Sequence, residues 1–229
     1  MQENNITENK FTYATIKNAP VTYILVILNI LIFLITDIKG DTGDITYMAS
    51  VGAMNPFLVV EQNEWYRLFT ATFLHFGIEH LVNNMLMLFV LGQLLERIIG
   101  STKFAAIYLF SGFIASFCSF FFSYLYGKNI VSAGASGCVF GVIGALIMAL
   151  IVQKGRYEGI TVWKLLLMAG LVLYYGFTSS HVDNVGHVTG LIAGICLSLV
   201  IYAIPYWIKK LKNHGNKAIM QEDIISKDI

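Results

Sequence analysis

Ser136 stands in Gly134-Ala135-Ser136-Gly137, at the head of a long apolar run and directly after the polar loop GKNIVSA. Small neighbours let the backbone turn sharply and leave the hydroxyl uncrowded, as a nucleophile needs. A helix opening here also offers unpaired backbone N–H groups to a developing oxyanion. Taken alone, the same four residues describe a packing patch, the commoner use of small residues in a membrane helix. Three further side chains bear on the choice. His80 and Asn84 are four apart and share one face of a helix, while His187 opens another apolar run. An imidazole that accepts the serine proton and returns one to a leaving amine would make Ser136 a nucleophile and His187 its general base. His80, Asn84 and the Ser136 backbone N–H are suited to hold an oxyanion. Asp183, four residues before His187, falls in a loop, so a dyad is favoured over a triad.

The elements that must position these residues follow from composition. Of 229 residues only 13% are charged, about half the share in a soluble domain, and the mean hydropathy is +0.67. Six apolar segments are of spanning length: Ala19–Ile38, Glu79–Leu95, Phe104–Tyr126, Ser136–Gln153, Val162–Phe177 and Val185–Trp207. The expected fold is therefore an all-α polytopic membrane bundle of six helices over residues 19–207. Residues 1–18 and 208–229 read as cytoplasmic tails, the second one basic. The first span lacks a small-residue cleavage site and reads as a retained anchor. With the N-terminus inside, 12 of the 15 basic residues fall in inner segments; only Lys39, Arg67 and Lys128 fall outside, so both termini are expected in the cytoplasm. Spans two, four and six then begin at the outer side, which puts His80, Asn84, Ser136 and His187 at one depth. Polar side chains inside a bilayer are costly and are functional candidates by default.

Small residues recur every fourth position in span four (Gly137, Gly141, Ala145, Ala149) and in span six (Gly186, Gly190, Gly194). Such ridges let two helices approach closely, and Ser136 and His187 each sit one residue from the outer end of a ridge. The first outer loop, about Lys39 to Ile78, is too long and too apolar to lack structure. Its Trp65, Tyr66, Phe69 and Phe73 predict short helices lying in the interface. The net charge of +1 gives no reason to invoke nucleic acid. Cys118, Cys138 and Cys196 lie in apolar runs, which argues against disulfides or a zinc site.

These residues resemble the rhomboid family of intramembrane serine proteases, in its basic six-span form. The resemblance runs from about Gly52 to Gly194 and rests on E-W-Y-R at Glu64–Arg67, H-F-G-I-E-H-L-V-N-N at His75–Asn84, G-A-S-G at Gly134–Gly137 and G-H-V-T-G at Gly186–Gly190. It implies Ser136 as nucleophile, His187 as base, and His80 with Asn84 in the oxyanion hole. It also implies a structural His75, Trp65 and Arg67 in a loop in the outer leaflet, and Glu96 tying the inner end of span two to a neighbour. Phe140 stands where some members carry a tyrosine packed on the catalytic histidine. The implied activity is cleavage of peptide bonds in or beside the transmembrane helices of membrane-protein substrates, without cofactor or metal. The implied setting is the plasma membrane, with the site opening to the outer side and Thr178–Asn184 capping its cavity. Two rivals remain: a transporter or metal permease using His75, His80, His181 and His187, and an inactive relative that binds membrane helices. Cys138 is a poor alternative nucleophile, because it points to a different helix face.

Overall fold

A helix that is apolar all round is either buried in protein or set in lipid, and Ser136–Val152 is such a helix. In the computed structural model, which describes residues 19–157, 159–178 and 182–213, it is the central element of the bundle, with every residue from Cys138 to Leu150 except Met148 buried. In chain order the elements are α1 (Pro20–Lys39), α2 (Ile45–Ser50), α3 (Pro56–Glu61), α4 (Arg67–Thr70), α5 (Gly77–Ile99), α6 (Ser101–Leu125), α7 (Ser136–Val152), a two-stranded hairpin of β1 (Arg156–Tyr157) and β2 (Ile160–Thr161), α8 (Val162–Thr178) and α9 (Asn184–Asn213). Helices α1, α5, α6 and α9 are long and apolar enough to cross a membrane, and α7 and α8 are shorter apolar helices. Shielding by its neighbours is what permits α7 to stop at 17 residues.

The six expected spans appear, with ends that differ for local reasons. A wide turn at Leu88–Gly92 keeps α5 continuous to Ile99. Helix α9 passes the expected end at Trp207 and runs to Asn213, so Lys209, Lys210 and Lys212, all exposed, lie on a helical extension of the last span. Both expected tails otherwise fall outside the described residues, at 1–18 and 214–229. The outward faces are apolar: Ile24, Ile27 and Leu31 on α1 and Trp163, Leu167, Tyr174 and Phe177 on α8 are all exposed. An apolar surface this continuous requires lipid.

The small-residue ridges mesh α7 with α9 backbone to backbone. A side chain at Gly190 would strike the Gly137 carbonyl, one at Gly194 the Gly141 carbonyl, and one at Gly144 the Leu191 carbonyl. One turn further on, Ser198 Oγ donates to the Ala145 carbonyl at 3.2 Å. The same four-residue step on both helices makes them parallel neighbours. On the other side α6 is as close: Gly137 faces Ala115, Gly141 faces Ser111, and the Cys138 thiol fills the space over Gly112.

At the far end of the bundle, the N-terminus of α1 has no capping side chain of its own. Glu96 of α5, buried, supplies one: its carboxylate accepts from the Val21 and Thr22 backbone N–H groups at 3.0 and 2.8 Å, from Thr22 Oγ1 at 2.7 Å and from Ser101 Oγ at 2.7 Å. A carboxylate at a helix N-terminus meets orphan donors and a favourable dipole together.

The first loop folds into α2, α3 and α4 and clamps the segment leading into α7. Buried Arg67 donates to Glu64 Oε2 at 2.6 Å and to the Ala49 and Ala53 carbonyls at 2.5 and 2.9 Å, so its charge is paired and its fork filled. Trp65 stays half-exposed, its ring edge-on to Phe120 of α6. Met54 and Ser132 exchange both backbone hydrogen bonds at 2.9 Å, the Gly134 N–H donates to the Ala71 carbonyl at 2.9 Å, and Asn55 Nδ2 donates to Asn129 Oδ1 at 2.8 Å. His75 adds a further tie: wholly buried, its Nε2 accepts from the Ala135 N–H at 3.3 Å. Burial above all, and then the neighbouring His80 imidazole, push its pKa down to about 3.

Two outcomes test this frame. Glu96→Ala leaves several donors unpaired and should cost about 3 kcal/mol of stability in detergent, read by thermal unfolding, with Glu96→Gln losing less. For His75 the folded pKa lies below the unfolded value of 6.5, so the unfolded state gains the proton first. Stability should therefore fall as pH drops from 6.5 toward 3, by up to about 1.4 kcal/mol per pH unit, and His75→Gln should flatten that slope.

Candidate active site

Ser136 is the first residue of α7, after Ala135 in a non-helical cap position. Gly134 makes the approach possible: its φ is +144°, and an added Cβ would lie 2.6 to 2.8 Å from the His80 ring and 3.7 Å from Asn84 Nδ2. The backbone before the serine thus runs directly against the two α5 side chains, a path open only to glycine. The His80 ring in turn stands edge-on to His75, with ring centroids 5.4 Å apart.

His187 lies in the first turn of α9 and is 7% exposed. Its ring stacks on Phe140, one turn below Ser136 on α7, at 4.4 Å between centroids and 19° between planes. The phenyl ring fixes the imidazole's orientation by area and leaves both ring nitrogens free of it. Since Gly186 and Gly190 lie against Gly137, the α7–α9 contact sets serine and histidine on facing turns at the same end of the bundle.

A cavity of about 40 Å³ opens beside Ser136, lined by Thr72, Ser116, Ser132, Gly134 and Gly137, and by Asp183 and Gly186 across from them. It is polar and large enough to admit water. Ser116 Oγ in its lining is buried without a partner, as are Asn84 Nδ2 on α5 and His187 Nδ1 on α9. A buried donor left open is costly, and that cost is recovered when an acceptor such as an oxyanion arrives.

The hydrogen bonds of Asp183 go elsewhere than to the His187 ring. Asp183 caps α9, its Oδ1 accepting from the Gly186 N–H at 2.8 Å, while Oδ2 accepts from Ser119 Oγ at 2.5 Å and Ser132 Oγ at 3.2 Å. Sequence reasoning set Asp183 aside as a loop residue and passed over Thr72, Ser116, Ser119 and Ser132. A signal was present for two of them, since serines inside the apolar α6 are polar groups at membrane depth.

The remaining expected residues fall elsewhere. Trp65 and Arg67 shape the first loop, Glu96 lies at the opposite end, and Gly190 belongs to the helix seam. Cys138 is buried with its thiol over Gly112, on another face of α7 from Ser136. Among the described residues, no group of three or more His, Cys, Asp or Glu is placed to hold a metal ion. His181, which the permease reading requires, lies outside the described residues, as does the middle of the expected cap, 179–181.

Comparison with known proteins gives the family. The family model for the Rhomboid domain matches residues 62–204. The chain is 37% identical over 173 residues to "Rhomboid protease GluP" of Bacillus subtilis (strain 168), covering 76% of this chain and 33% of that protein. It is 32% identical over 174 residues to "RHOMBOID-like protein 4" of Arabidopsis thaliana, 74% of this chain and 43% of the relative. To "RHOMBOID-like protein 6, mitochondrial" of the same plant it is 34% identical over 160 residues, 69% of this chain and 50% of the relative. The matched region thus spans a third to a half of these curated relatives. The family match takes in every segment that builds the serine–histidine site, and with its lipid-requiring helices the chain is an integral membrane protein of the rhomboid family.

Proposed function

We propose that this chain is an intramembrane serine endopeptidase that cleaves peptide bonds in or next to the transmembrane helices of membrane-protein substrates. The observation that carries the reading is the placement of Ser136, at an open helix start beside a polar cavity, on a turn facing a buried His187 held by Phe140. The printed name of the relative from Bacillus subtilis, a rhomboid protease, supports the same activity.

In this mechanism His187 takes the Ser136 proton as Oγ attacks the scissile carbonyl, and the resulting imidazolium gives it to the leaving amine. Water then enters, His187 takes its proton, and the acyl-enzyme is hydrolysed. The oxyanion is held by the Ser136 N–H, His80 and the unpartnered Asn84 Nδ2. With no carboxylate on His187, the dyad relies on ring stacking to orient the base. A peptide bond inside a helix is shielded by its own hydrogen bonds, so substrates with helix-weakening residues near the cut are favoured. The charge distribution supports an orientation with both termini in the cytoplasm and the site near the outer face of the cell membrane.

Purified protein in liposomes with a single-span substrate tests the reading. Ser136→Ala and His187→Ala should each abolish cleavage while leaving thermal unfolding near wild type. Asn84→Ala should lower kcat by about 100-fold with little change in KM, as expected for loss of one oxyanion donor. Undiminished cleavage by Ser136→Ala would exclude serine catalysis, and dependence on a metal would favour the permease rival.

A further inference from the structure

We infer that Asp183 is a positioning residue that sets the serine-bearing segment against the histidine-bearing helix. The inference rests on the protease reading above. One carboxylate gathers three separate parts of the chain: α9 through the Gly186 N–H at 2.8 Å, α6 through Ser119 Oγ at 2.5 Å, and the segment entering α7 through Ser132 Oγ at 3.2 Å. Ser132 lies four residues before Ser136 and Gly186 one residue before His187. Asp183 thereby acts on both members of the pair through short backbone links, without touching either imidazole or hydroxyl.

The arrangement exceeds what capping alone needs. An N-cap asparagine or serine would satisfy the Gly186 N–H equally well, yet here the second carboxylate oxygen is spent on two hydroxyls 64 and 51 residues away in sequence. On the other side, Ser132 is bound by backbone to Met54, so the tie runs from the first loop through Ser132 and Asp183 into α9. The seam of glycines between α7 and α9 fixes how near the helices come. The carboxylate adds a constraint the seam lacks, namely where the non-helical approach to Ser136 sits relative to the first turn of α9. Asp183 also lines the cavity beside Ser136, so a shift of its partners changes the shape of the space that receives the scissile bond.

The test uses the full chain in liposomes with the single-span substrate, comparing wild type, Asp183→Ala, Asp183→Asn and Ser132→Ala. Asp183→Ala should lower kcat by about 10- to 100-fold with KM within about two-fold, the size expected when reacting groups move by about 1 Å. Asp183→Asn, which keeps the cap and can still bond both hydroxyls, should recover most of that loss. In hydrogen exchange, Asp183→Ala should speed the amides of 132–136 and leave the middle of α7 protected. That readout needs no cleavage, and it stands even if the wild type proves inactive, which would overturn the protease reading alone. If Asp183→Ala unfolds, Asp183→Asn and Ser132→Ala carry the comparison, Ser132→Ala being expected to slow kcat and loosen the same amides. Wild-type kcat and unchanged exchange in Asp183→Ala, or in Ser132→Ala where Asp183→Ala does not fold, would overturn the inference, as would an asparagine variant no better than alanine.

Discussion

The bundle is organised by the contact of α7 with α9 at backbone distance. Three glycines, at 144, 190 and 194, each face a carbonyl so closely that no side chain fits, and Ser198 takes over where the run ends. Within lipid there is little hydrophobic gain from helix association, so such contacts depend on dispersion and on polar groups meeting across the seam. Because the register advances by four residues on both helices, one alignment serves the whole seam. Placing Gly190 on Gly137 also places His187 across from the turn between Ser136 and Phe140.

Around that seam, the candidate site is assembled from parts anchored independently. The α5 face brings His80 and Asn84 to the backbone of Gly134, and the first loop grips the same segment through Met54, Ala71 and His75. Most of the polar work lies in holding the serine segment still, and the groups nearest the chemistry are left under-bonded. Asn84 Nδ2 and His187 Nδ1 are buried without partners, while the supporting residues Arg67, Glu96 and Asp183 are each bonded several times. Donors left open beside the serine suit the proposed chemistry, in which negative charge appears only during reaction.

Much of this was legible in one sequence, for identifiable reasons. Helix number followed from apolar run length, and the α7–α9 seam from the four-residue repeat of small residues, because both depend on periodicity alone. Phe140 on His187 came from the family resemblance, in which some members carry a tyrosine there packed on the histidine. The partners of Asp183 were not legible: Ser119 and Ser132 lie on two other segments, and only the folded bundle shows that one carboxylate reaches both. The same holds for Glu96, for which the family resemblance implied a tie at the inner end of span two but not that it caps α1, over seventy residues away. The helical continuation of α9 past Trp207 was not legible, because exposed lysines mark where the apolar run ends but not where the helix does.

The central claim is that the α7–α9 seam makes Ser136 nucleophilic by presenting it to His187. Mass spectrometry of the protein after reaction with a serine-directed fluorophosphonate measures this without any substrate. The account predicts a single adduct on Ser136 that is lost in His187→Ala and in a Gly190→Leu variant that parts the seam. Labelling of Ser136 at the wild-type rate in the absence of His187, or no adduct on Ser136 in the folded wild type, would contradict it.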